Sequence, residues 1–338
     1  MPRRARAVKA LLALLRELGE AYQADLVRAS GLSKARVSEV LAQLTRQGLI
    51  GREVRGRNVK VYLRSREGLE ARPKELRLGL VRAAEYPYIV PLMKLLKQEG
   101  FTVQLRVYDN GIDVMQDLSS HRLQLAIAPL LTFFTFYSLG AALVALAPAG
   151  AGGASVILDP RRRGQPLRAA CTRLSTMEML LATSVNHGVL PKLRALSYCS
   201  GPQELMRLLE AGRVDAVSIW EPYASSLVGR GYVREVRYSE LAEHVCCLLG
   251  ASQLLDEQLL ERVSYLYARA LDDYAAEPGR YHAPYSALVG LDAKAVEVSL
   301  EEYSHPRHAR ISLLERQLAE AGIRVPSPTL LQGMFLSS

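Results

Sequence analysis

Hydrophobic positions in the first 63 residues repeat first with helical spacing and then with strand spacing. The pattern predicts a helix over residues 3–20 and a short second helix over residues 24–29. Gly31 suits a tight turn, and Ser33 is a good N-cap for a third helix. Residues 50–63 then predict two short strands joined by a turn. The apolar stripe of the third helix consists of Val37, Val40, Leu41 and Leu44.

From Leu76 onward, short apolar runs typical of strands alternate with longer segments of helical spacing. This alternation favours an α/β domain with mostly parallel sheets, and the number of runs suits two small lobes better than one large sheet. The predicted strands are LRLGLV, FTVQLRVYD, LQLAIAP, ALVALAP, ASVIL and VDAVSIW. The predicted helices are YIVPLMKLLKQEG, GIDVMQDLSSHR, TMEMLLATSVNHG and PQELMRLLEAG.

These patterns predict a small first domain over residues 1–66 and a charged linker over residues 67–75. A two-lobe domain follows over residues 76–338, with its second lobe at about residues 162–238. The net charge of +9 is unevenly divided between them. Residues 1–74 carry 17 basic and 7 acidic side chains, whereas the rest of the chain carries 26 and 27. A compact basic domain joined to a nearly neutral one indicates a polyanion-binding unit attached to another function.

Polar and basic side chains of the third helix and the hairpin are candidates for contacts with DNA. Small and polar groups outside the apolar stripe can approach base edges, and basic groups on a projecting hairpin can bind phosphates. The candidate DNA-binding residues are Ser33, Lys34, Arg36, Ser38, Gln43, Arg46, Arg52, Arg55, Arg57 and Lys60.

The stretch LVRASGLSKARVSEVLAQLTRQGLIGREVRGRNVKVYLRS, within residues 5–65, resembles the winged helix-turn-helix of bacterial and archaeal transcription regulators. The resemblance implies double-stranded DNA as a partner. It also implies a homodimer, since such regulators usually bind paired half-sites. The alternative is a winged helix used for protein contact, which the basic excess disfavours.

The stretch VDAVSIWEPYA suggests the wall of a small-molecule pocket, because an apolar strand runs directly into the chain's single Trp and a carboxylate. Open α/β folds bind ligands beyond the carboxyl ends of their strands. Trp220 could instead be a core aromatic, Glu221 a solvent-facing carboxylate, and Ser175 with Thr176 ordinary helix caps. The candidate ligand-binding residues are Tyr86, Tyr88, Asn110, Ser175, Thr176, Trp220 and Glu221.

The stretch LEAGRVDAVSIWEPYAS resembles solute-binding proteins of the nitrate, sulfonate and taurine type, which implies a type 2 periplasmic-binding-protein-like domain of two closing lobes. YPYIVPLMKLL and the segment around Cys246 and Cys247 resemble the thiamine-pyrimidine synthases within that superfamily. Ile89 stands where those synthases have their reacting histidine, and the cysteine pair replaces a longer cysteine-rich run. The resemblance therefore implies a pyrimidine-binding site without the synthase reaction.

Several other classes of function are disfavoured. No apolar run reaches the roughly 18 residues needed to span a bilayer, and no signal-peptide cleavage site follows the apolar stretch near the N-terminus, so a cytoplasmic location is expected. The four cysteines contain no CxxC pair, and Pro306 interrupts His305 and His308, so no metal or cofactor is predicted. No nucleophile, base and orienting group stand out, so no enzymatic activity is expected.

The prediction that unites these features is a ligand-responsive transcription regulator. The first domain binds DNA, and the second binds an effector, for which a thiamine-related pyrimidine is the leading candidate. One alternative is a synthase-like enzyme fused to a DNA-binding head. Another is a solute-binding protein for a sulfonate, nitrate or aromatic acid.

Overall fold

The described part of the chain forms three sheets and their covering helices. A computed structural model describes residues 3–46, 49–55, 58–63, 75–162 and 167–336. The predicted linker falls almost wholly outside these ranges. The N-terminal unit, residues 3–63, has its own apolar core, which is separate from the core of the larger unit that begins at Glu75.

The N-terminal unit contains three helices and a three-stranded antiparallel sheet of order β1-β3-β2. The second and third helices are joined through Gly31, whose φ of +65° lies in the left-handed region that glycine adopts easily. The predicted stripe of the third helix is buried. The elements are α1 (Arg3–Leu18), β1 (Glu20–Tyr22), α2 (Gln23–Ser30), α3 (Lys34–Arg46), β2 (Ile50–Arg55) and β3 (Asn58–Leu63).

The larger unit begins with three parallel strands and their helices, which lie where the apolar runs predict them. The aromatic run FFTFY lies in a helix, with Phe133 and Tyr137 buried. The elements are β4 (Glu75–Val81), α4 (Ile89–Gln98), β5 (Thr102–Tyr108), α5 (Gly111–Ser119), β6 (Leu125–Pro129), α6 (Leu130–Ser138) and β7 (Leu143–Gly152).

The chain then enters a second sheet and later returns to the first one. The middle elements are β8 (Ala154–Leu158), β9 (Leu167–Thr172), α7 (Thr176–Asn186), β10 (Leu193–Cys199), α8 (Pro202–Glu210), β11 (Ala216–Trp220), α9 (Tyr223–Gly229), β12 (Val233–Arg237) and α10 (Tyr238–Leu241). The last elements are β13 (Cys247–Ser252), α11 (Glu257–Ala276), α12 (Gly279–Val289), α13 (Ala293–Ser299), β14 (Tyr303–Ser304), α14 (Ile311–Glu320) and α15 (Pro328–Gln332).

The two sheets of the larger unit form two lobes. The first sheet has the strand order β14-β7-β13-β6-β4-β5, and the second has the order β10-β9-β11-β8-β12. The prediction of mostly parallel sheets is wrong, because β7, β8, β12 and β13 pair antiparallel to their neighbours. The second lobe also begins at Ala154, before the predicted residue 162, because β8 pairs with β11.

The N-terminal unit contacts the first lobe through α3. Gln43 is 7% exposed, and its Nε2 donates a hydrogen bond to the backbone oxygen of Gly140, between α6 and β7. Leu254, just beyond β13, packs against the N-terminal core. One turn of α3 is therefore held by the larger unit, whereas Lys34, at the start of that helix, is exposed.

Candidate ligand chamber between the lobes

A chamber lies between the two lobes at the carboxyl ends of their strands. Val81, Pro129, Thr172 and Trp220 line it, and each is the last residue of its strand. The space between these residues, counted together with the open solvent at its mouth, is about 410 Å³.

The lining of the chamber is apolar and aromatic, with a few hydroxyl, amide and thiol groups and one carboxyl group. None of the described lining residues is Lys, Arg or His, and Glu85 is the only carboxylic acid among them. The chamber is lined by Val81, Ala83, Glu85, Tyr86, Asn110, Gly111, Pro129, Gly152, Thr172, Ser175, Thr176, Met177, Trp220, Cys246, Cys247 and Tyr303.

Glu85 lies in the turn between β4 and α4, and its side chain is buried. The carboxyl oxygen Oε1 has no hydrogen-bond partner among the described residues. Burial raises the pKa of this carboxyl to about 7. Gly150 makes room for it, because a Cβ at that position would lie 2.0 Å from Oε1. The backbone near the end of β7, from which the chain passes to the second lobe, therefore lies close against the Glu85 carboxyl group.

Cys246 and Cys247 lie opposite Glu85, where the chain returns to the first lobe at the start of β13. Both thiols are buried, and their sulfur atoms are 3.4 Å apart. Their distances to Oε2 of Glu85 are 3.6 Å from Cys246 and 3.7 Å from Cys247. Burial raises the pKa of the Cys247 thiol well above its usual range. Three buried ionisable groups therefore meet at one wall of the chamber.

Five of the seven predicted ligand-binding residues line the chamber, but their polar groups already have protein partners. The Tyr86 hydroxyl donates to the sulfur of Cys247 at 3.1 Å, and the Thr176 hydroxyl donates to the backbone oxygen of Cys246 at 2.9 Å. The Trp220 indole N–H donates to the backbone oxygen of Arg82 at 2.8 Å. These hydrogen bonds hold each side chain in place, so a ligand would meet mainly the faces of the two aromatic rings.

Asn110 and Ser175 both cap helices that begin at the chamber. Asn110 accepts a hydrogen bond from the Asp113 N–H at 2.9 Å, and its amide donates to Ser200 of the second lobe at 3.0 Å. Ser175 accepts a hydrogen bond from the Glu178 N–H at 3.3 Å. The capping interpretation is therefore confirmed for Ser175, and Asn110 also connects the two lobes.

Two predicted ligand-binding residues lie elsewhere. Tyr88 is fully buried, and its hydroxyl donates to the backbone oxygen of Ala149 at 2.6 Å, so it is a core residue. Glu221 is also fully buried: it accepts hydrogen bonds from Ser225 at 3.0 Å and from the Arg234 guanidinium at 2.6 Å. The prediction that Glu221 contacts a ligand is therefore wrong, because β12 supplies an internal partner for its carboxylate.

The candidate DNA-binding residues have mixed environments. Lys34 and Arg46 are exposed on α3, and Arg36 forms an ion pair with Glu39 at 2.7 Å. Ser33 accepts a hydrogen bond from the Arg36 N–H at 3.3 Å, so it caps the helix. Ser38 is half-buried.

Gln43 requires a correction, because its burial against Gly140 removes it from any surface that DNA could reach. On the hairpin, Arg52 is exposed and donates to Gln23 at 2.9 Å, whereas Lys60 pairs with Glu20 at 2.6 Å. The side chain of Arg55 and all of Arg57 lie outside the described residues.

Comparisons with known proteins identify the fold of the larger unit and match the N-terminal unit only to a family of unknown function. A family model described as a domain of unknown function, DUF7343, matches residues 6–64. No curated protein sequence matches the chain. The chain is similar to the solved structure of the periplasmic aliphatic sulphonate binding protein SsuA from Escherichia coli, with a TM-score of 0.64 and 15% identity. That match covers 78% of this chain and 92% of the other.

Two further structures have the same architecture. One is the alkanesulfonate-binding protein SsuA from Xanthomonas axonopodis pv. citri, with a TM-score of 0.64, 17% identity and coverage of 79% of this chain and 99% of the other. The other is the Candida albicans CA3427 gene product, which exhibits the generic periplasmic binding protein fold, with a TM-score of 0.62, 10% identity and coverage of 77% of this chain and 94% of the other. The larger unit has the periplasmic-binding-protein fold. None of the described helices is long and apolar enough to cross a membrane.

Sequence reasoning missed Glu85, Cys246 and Cys247 as lining residues. Glu85 had an available signal, since it directly precedes Tyr86 beyond the strand LRLGLV. The signal for the cysteine pair was its resemblance to the cysteine-rich run of the synthases. Hydrophobic spacing gave none, because β13 is not among the predicted strands and its place at the chamber depends on the chain's return to the first lobe.

The ion pair of Glu221 with Arg234 should stabilise the second lobe. Arg234→Met leaves a fully buried carboxylate without its cation, and we expect the free energy of unfolding to fall by about 3 kcal/mol. The measurement is thermal and urea unfolding followed by circular dichroism. Arg230→Met is the control, because the partly exposed pair of Arg230 with Glu210 should contribute about 1 kcal/mol or less.

Adding Glu221→Gln to Arg234→Met should recover part of the stability, because it removes the unpaired charge while keeping an oxygen for Ser225. Equal destabilisation of the Arg234 and Arg230 variants would contradict this role for the pair.

Proposed function

We propose that the larger unit is a receptor whose two lobes close on a small organic molecule that is neutral or cationic. The observation that carries this proposal is the lining of the chamber: among its described residues Glu85 has the only carboxyl group, and none is basic. A sulfonate or nitrate would meet a buried acid without a compensating cation, which is unfavourable. The solute-binding fold is thus combined with a site whose charge suits a different ligand class from the sulfonates of the two SsuA proteins.

An aminopyrimidine fits this lining well. Tyr86 and Trp220 supply aromatic surfaces for a flat ring. Glu85 has an unpartnered oxygen that can accept a hydrogen bond from an exocyclic amine. A thiamine-related pyrimidine is therefore the leading candidate.

The test is isothermal titration of the full-length chain with the hydroxymethyl aminopyrimidine of thiamine and, separately, with ethanesulfonate, both in the presence of EDTA. We expect the chain to bind the pyrimidine and not to bind ethanesulfonate. Glu85→Gln should weaken it about tenfold or more, because a hydrogen bond to a charged group contributes about 1.5–3 kcal/mol.

Glu257→Gln is the matched control, since Glu257 is exposed at the start of α11, and it should bind like the unaltered chain. Preferential binding of ethanesulfonate, or equal effects of the two substitutions, would overturn the proposed ligand class.

We further propose that the N-terminal unit is a winged helix-turn-helix that binds double-stranded DNA. Support comes from the sequence of elements α2, turn, α3 and hairpin, and from the basic excess of residues 1–74. In such domains the N-terminal residues of the recognition helix contact base edges. Lys34 and Arg36 occupy that end of α3, opposite to the turn that is held against the larger unit.

A DNA partner would place the chain in the cytoplasm, and a homodimer would suit paired half-sites. The alternative, a solute-binding protein that delivers its ligand outside the cytoplasm, is favoured by the periplasmic neighbours but leaves the basic unit without a role.

The DNA proposal can be tested by fluorescence anisotropy with duplex DNA from upstream of the chain's own coding region. Lys34→Ala with Arg46→Ala should weaken binding about tenfold and lower the slope of log affinity against log salt by about 2, because each phosphate that a cation neutralises contributes roughly 0.9 to that slope. Lys94→Ala with Lys97→Ala removes two exposed cations from the larger unit and should change neither. Equal behaviour of the two double variants, or no binding by the unaltered chain, would refute the DNA proposal.

A continuous set of contacts could couple the two units. Pro129 lines the chamber, and α6 begins at the next residue. The Thr132 hydroxyl of α6 bonds to the backbone oxygen of Leu174 in the second lobe. Beyond the other end of α6, Gly140 accepts the hydrogen bond from Gln43 of α3. A change in lobe closure would therefore shift α6 relative to the DNA-binding helix, provided the ligand binds one state better than the other.

Coupling predicts a distinctive phenotype for Gln43→Ala. The variant should keep its affinity for the pyrimidine and for DNA, because it touches neither site, but the pyrimidine should no longer change the DNA affinity. Anisotropy titrations with and without pyrimidine measure the effect, and Gln98→Ala, at an exposed position of the first lobe, serves as the control. Unaltered coupling in Gln43→Ala would exclude this route between the sites.

A further inference from the structure

Glu85, Cys246 and Cys247 together have the composition of a metal site. All three side chains are buried, and they present one oxygen and two sulfur atoms that lie within 4.8 Å of one another. They come from two chain segments that are 161 residues apart and meet only at the wall of the chamber.

The distances among the three ligand atoms lie within about 0.4 Å of those around a tetrahedral ion. With Zn–S bonds of about 2.3 Å and Zn–O bonds of about 2.0 Å, tetrahedral angles put two sulfur ligands about 3.8 Å apart and a sulfur and an oxygen ligand about 3.5 Å apart. The sulfur atoms are 3.4 Å apart, and the two sulfur-to-oxygen distances are 3.6 Å and 3.7 Å. The three atoms therefore stand near three corners of a zinc coordination tetrahedron.

We propose that Glu85, Cys246 and Cys247 bind one divalent cation of the zinc class, with the fourth coordination position open to the chamber. Two thiolates select a borderline or soft cation, whereas Mg²⁺ and Ca²⁺ require oxygen ligands. Three protein ligands with one open position are the arrangement of reactive or ligand-binding zinc sites, as opposed to closed structural ones.

The surroundings of the Glu85 carboxyl group indicate that it binds a cation and is not a purely structural residue. Its Oε2 lies beside two thiols, which are weak hydrogen-bond donors, and Oε1 has no partner among the described residues. Glu221 is equally buried but has an arginine and a serine. A cation at the cluster would give Glu85 the compensation that a buried carboxylate needs.

Charge and proton balance follow from the ligand set. Binding releases the two thiol protons and any proton on the carboxyl group to solvent, which leaves three anionic ligands around a doubly charged ion. The open position then favours a neutral donor, such as water or a ring nitrogen. The occupant of this fourth position rests on the proposed function, but the metal site itself does not.

The test uses the full-length, tag-free chain, reduced, stripped with EDTA and transferred to metal-free buffer. Titration with Co²⁺ should give one ion per chain, intense visible bands of a tetrahedral ion and a near-ultraviolet sulfur-to-cobalt charge-transfer band. Zn²⁺ should displace the cobalt and abolish these bands. Cys246→Ala and Cys247→Ala should each lower the affinity at least about tenfold and weaken the sulfur band.

Glu85→Gln should lower the affinity while keeping the sulfur band, because both thiolates remain. Cys199→Ala is the matched control, since Cys199 is a free thiol that does not line the chamber, and it should bind cobalt like the unaltered chain. Circular dichroism of each stripped variant verifies folding, and protection of the thiols from a maleimide by Zn²⁺ in the unaltered chain provides a readout that needs no variant.

Cobalt binding without a sulfur band, equal binding by the Cys199 and Cys246 variants, or a Cys246–Cys247 disulfide that persists under reduction would each overturn the metal site. These outcomes are separable from failure of the proposed function, since pyrimidine binding is measured in EDTA and cobalt binding without pyrimidine.

Discussion

The burial of the Glu85 carboxyl group without a basic partner is the constraint on which the chamber depends. A carboxylate removed from water must be neutralised, hydrogen-bonded or paired with a cation. The protein leaves space for this group by placing Gly150, which has no side chain, against it. It supplies two weakly donating thiols as neighbours for Oε2. A proton on the carboxyl group would supply the remaining compensation, as would the amine of the proposed ligand or the proposed metal ion.

Glu221 demonstrates the alternative solution in the same protein. It is also fully buried, but Arg234, Ser225 and the first turn of α9 satisfy its oxygens, so it needs nothing from the chamber. The adjacent Trp220 faces the chamber, whereas the carboxylate of Glu221 contacts β12. The two buried acids thus differ in their internal partners, a cation and two donors for Glu221 and only thiols for Glu85, and that difference separates a structural residue from a candidate binding residue.

Local patterns predicted the elements and the strand-end positions, because hydrophobic spacing and the position of strand ends are local properties. Trp220 and Ser175 were therefore placed correctly at the chamber. The error on Glu221 has a different origin: its partner comes from β12, a strand that no apolar run predicted. The mixed sheets and the place of Cys246 depend on how the chain crosses between lobes twice, which is a long-range property that periodicity does not contain.

The helix α6 lies between the chamber and the N-terminal unit. This helix starts at the chamber, is bonded to the second lobe through Thr132 and leads to Gly140, where α3 is attached through Gln43. Its inner face is packed with buried aromatic rings, so it is better suited to move as a rigid body than to bend. Thr132 of α6 contacts the second lobe, and Gly140, just beyond the end of α6, contacts the N-terminal unit, as does Leu254 just beyond β13. A ligand with unequal affinity for the open and closed lobes would thus change the position of α3 without contacting it.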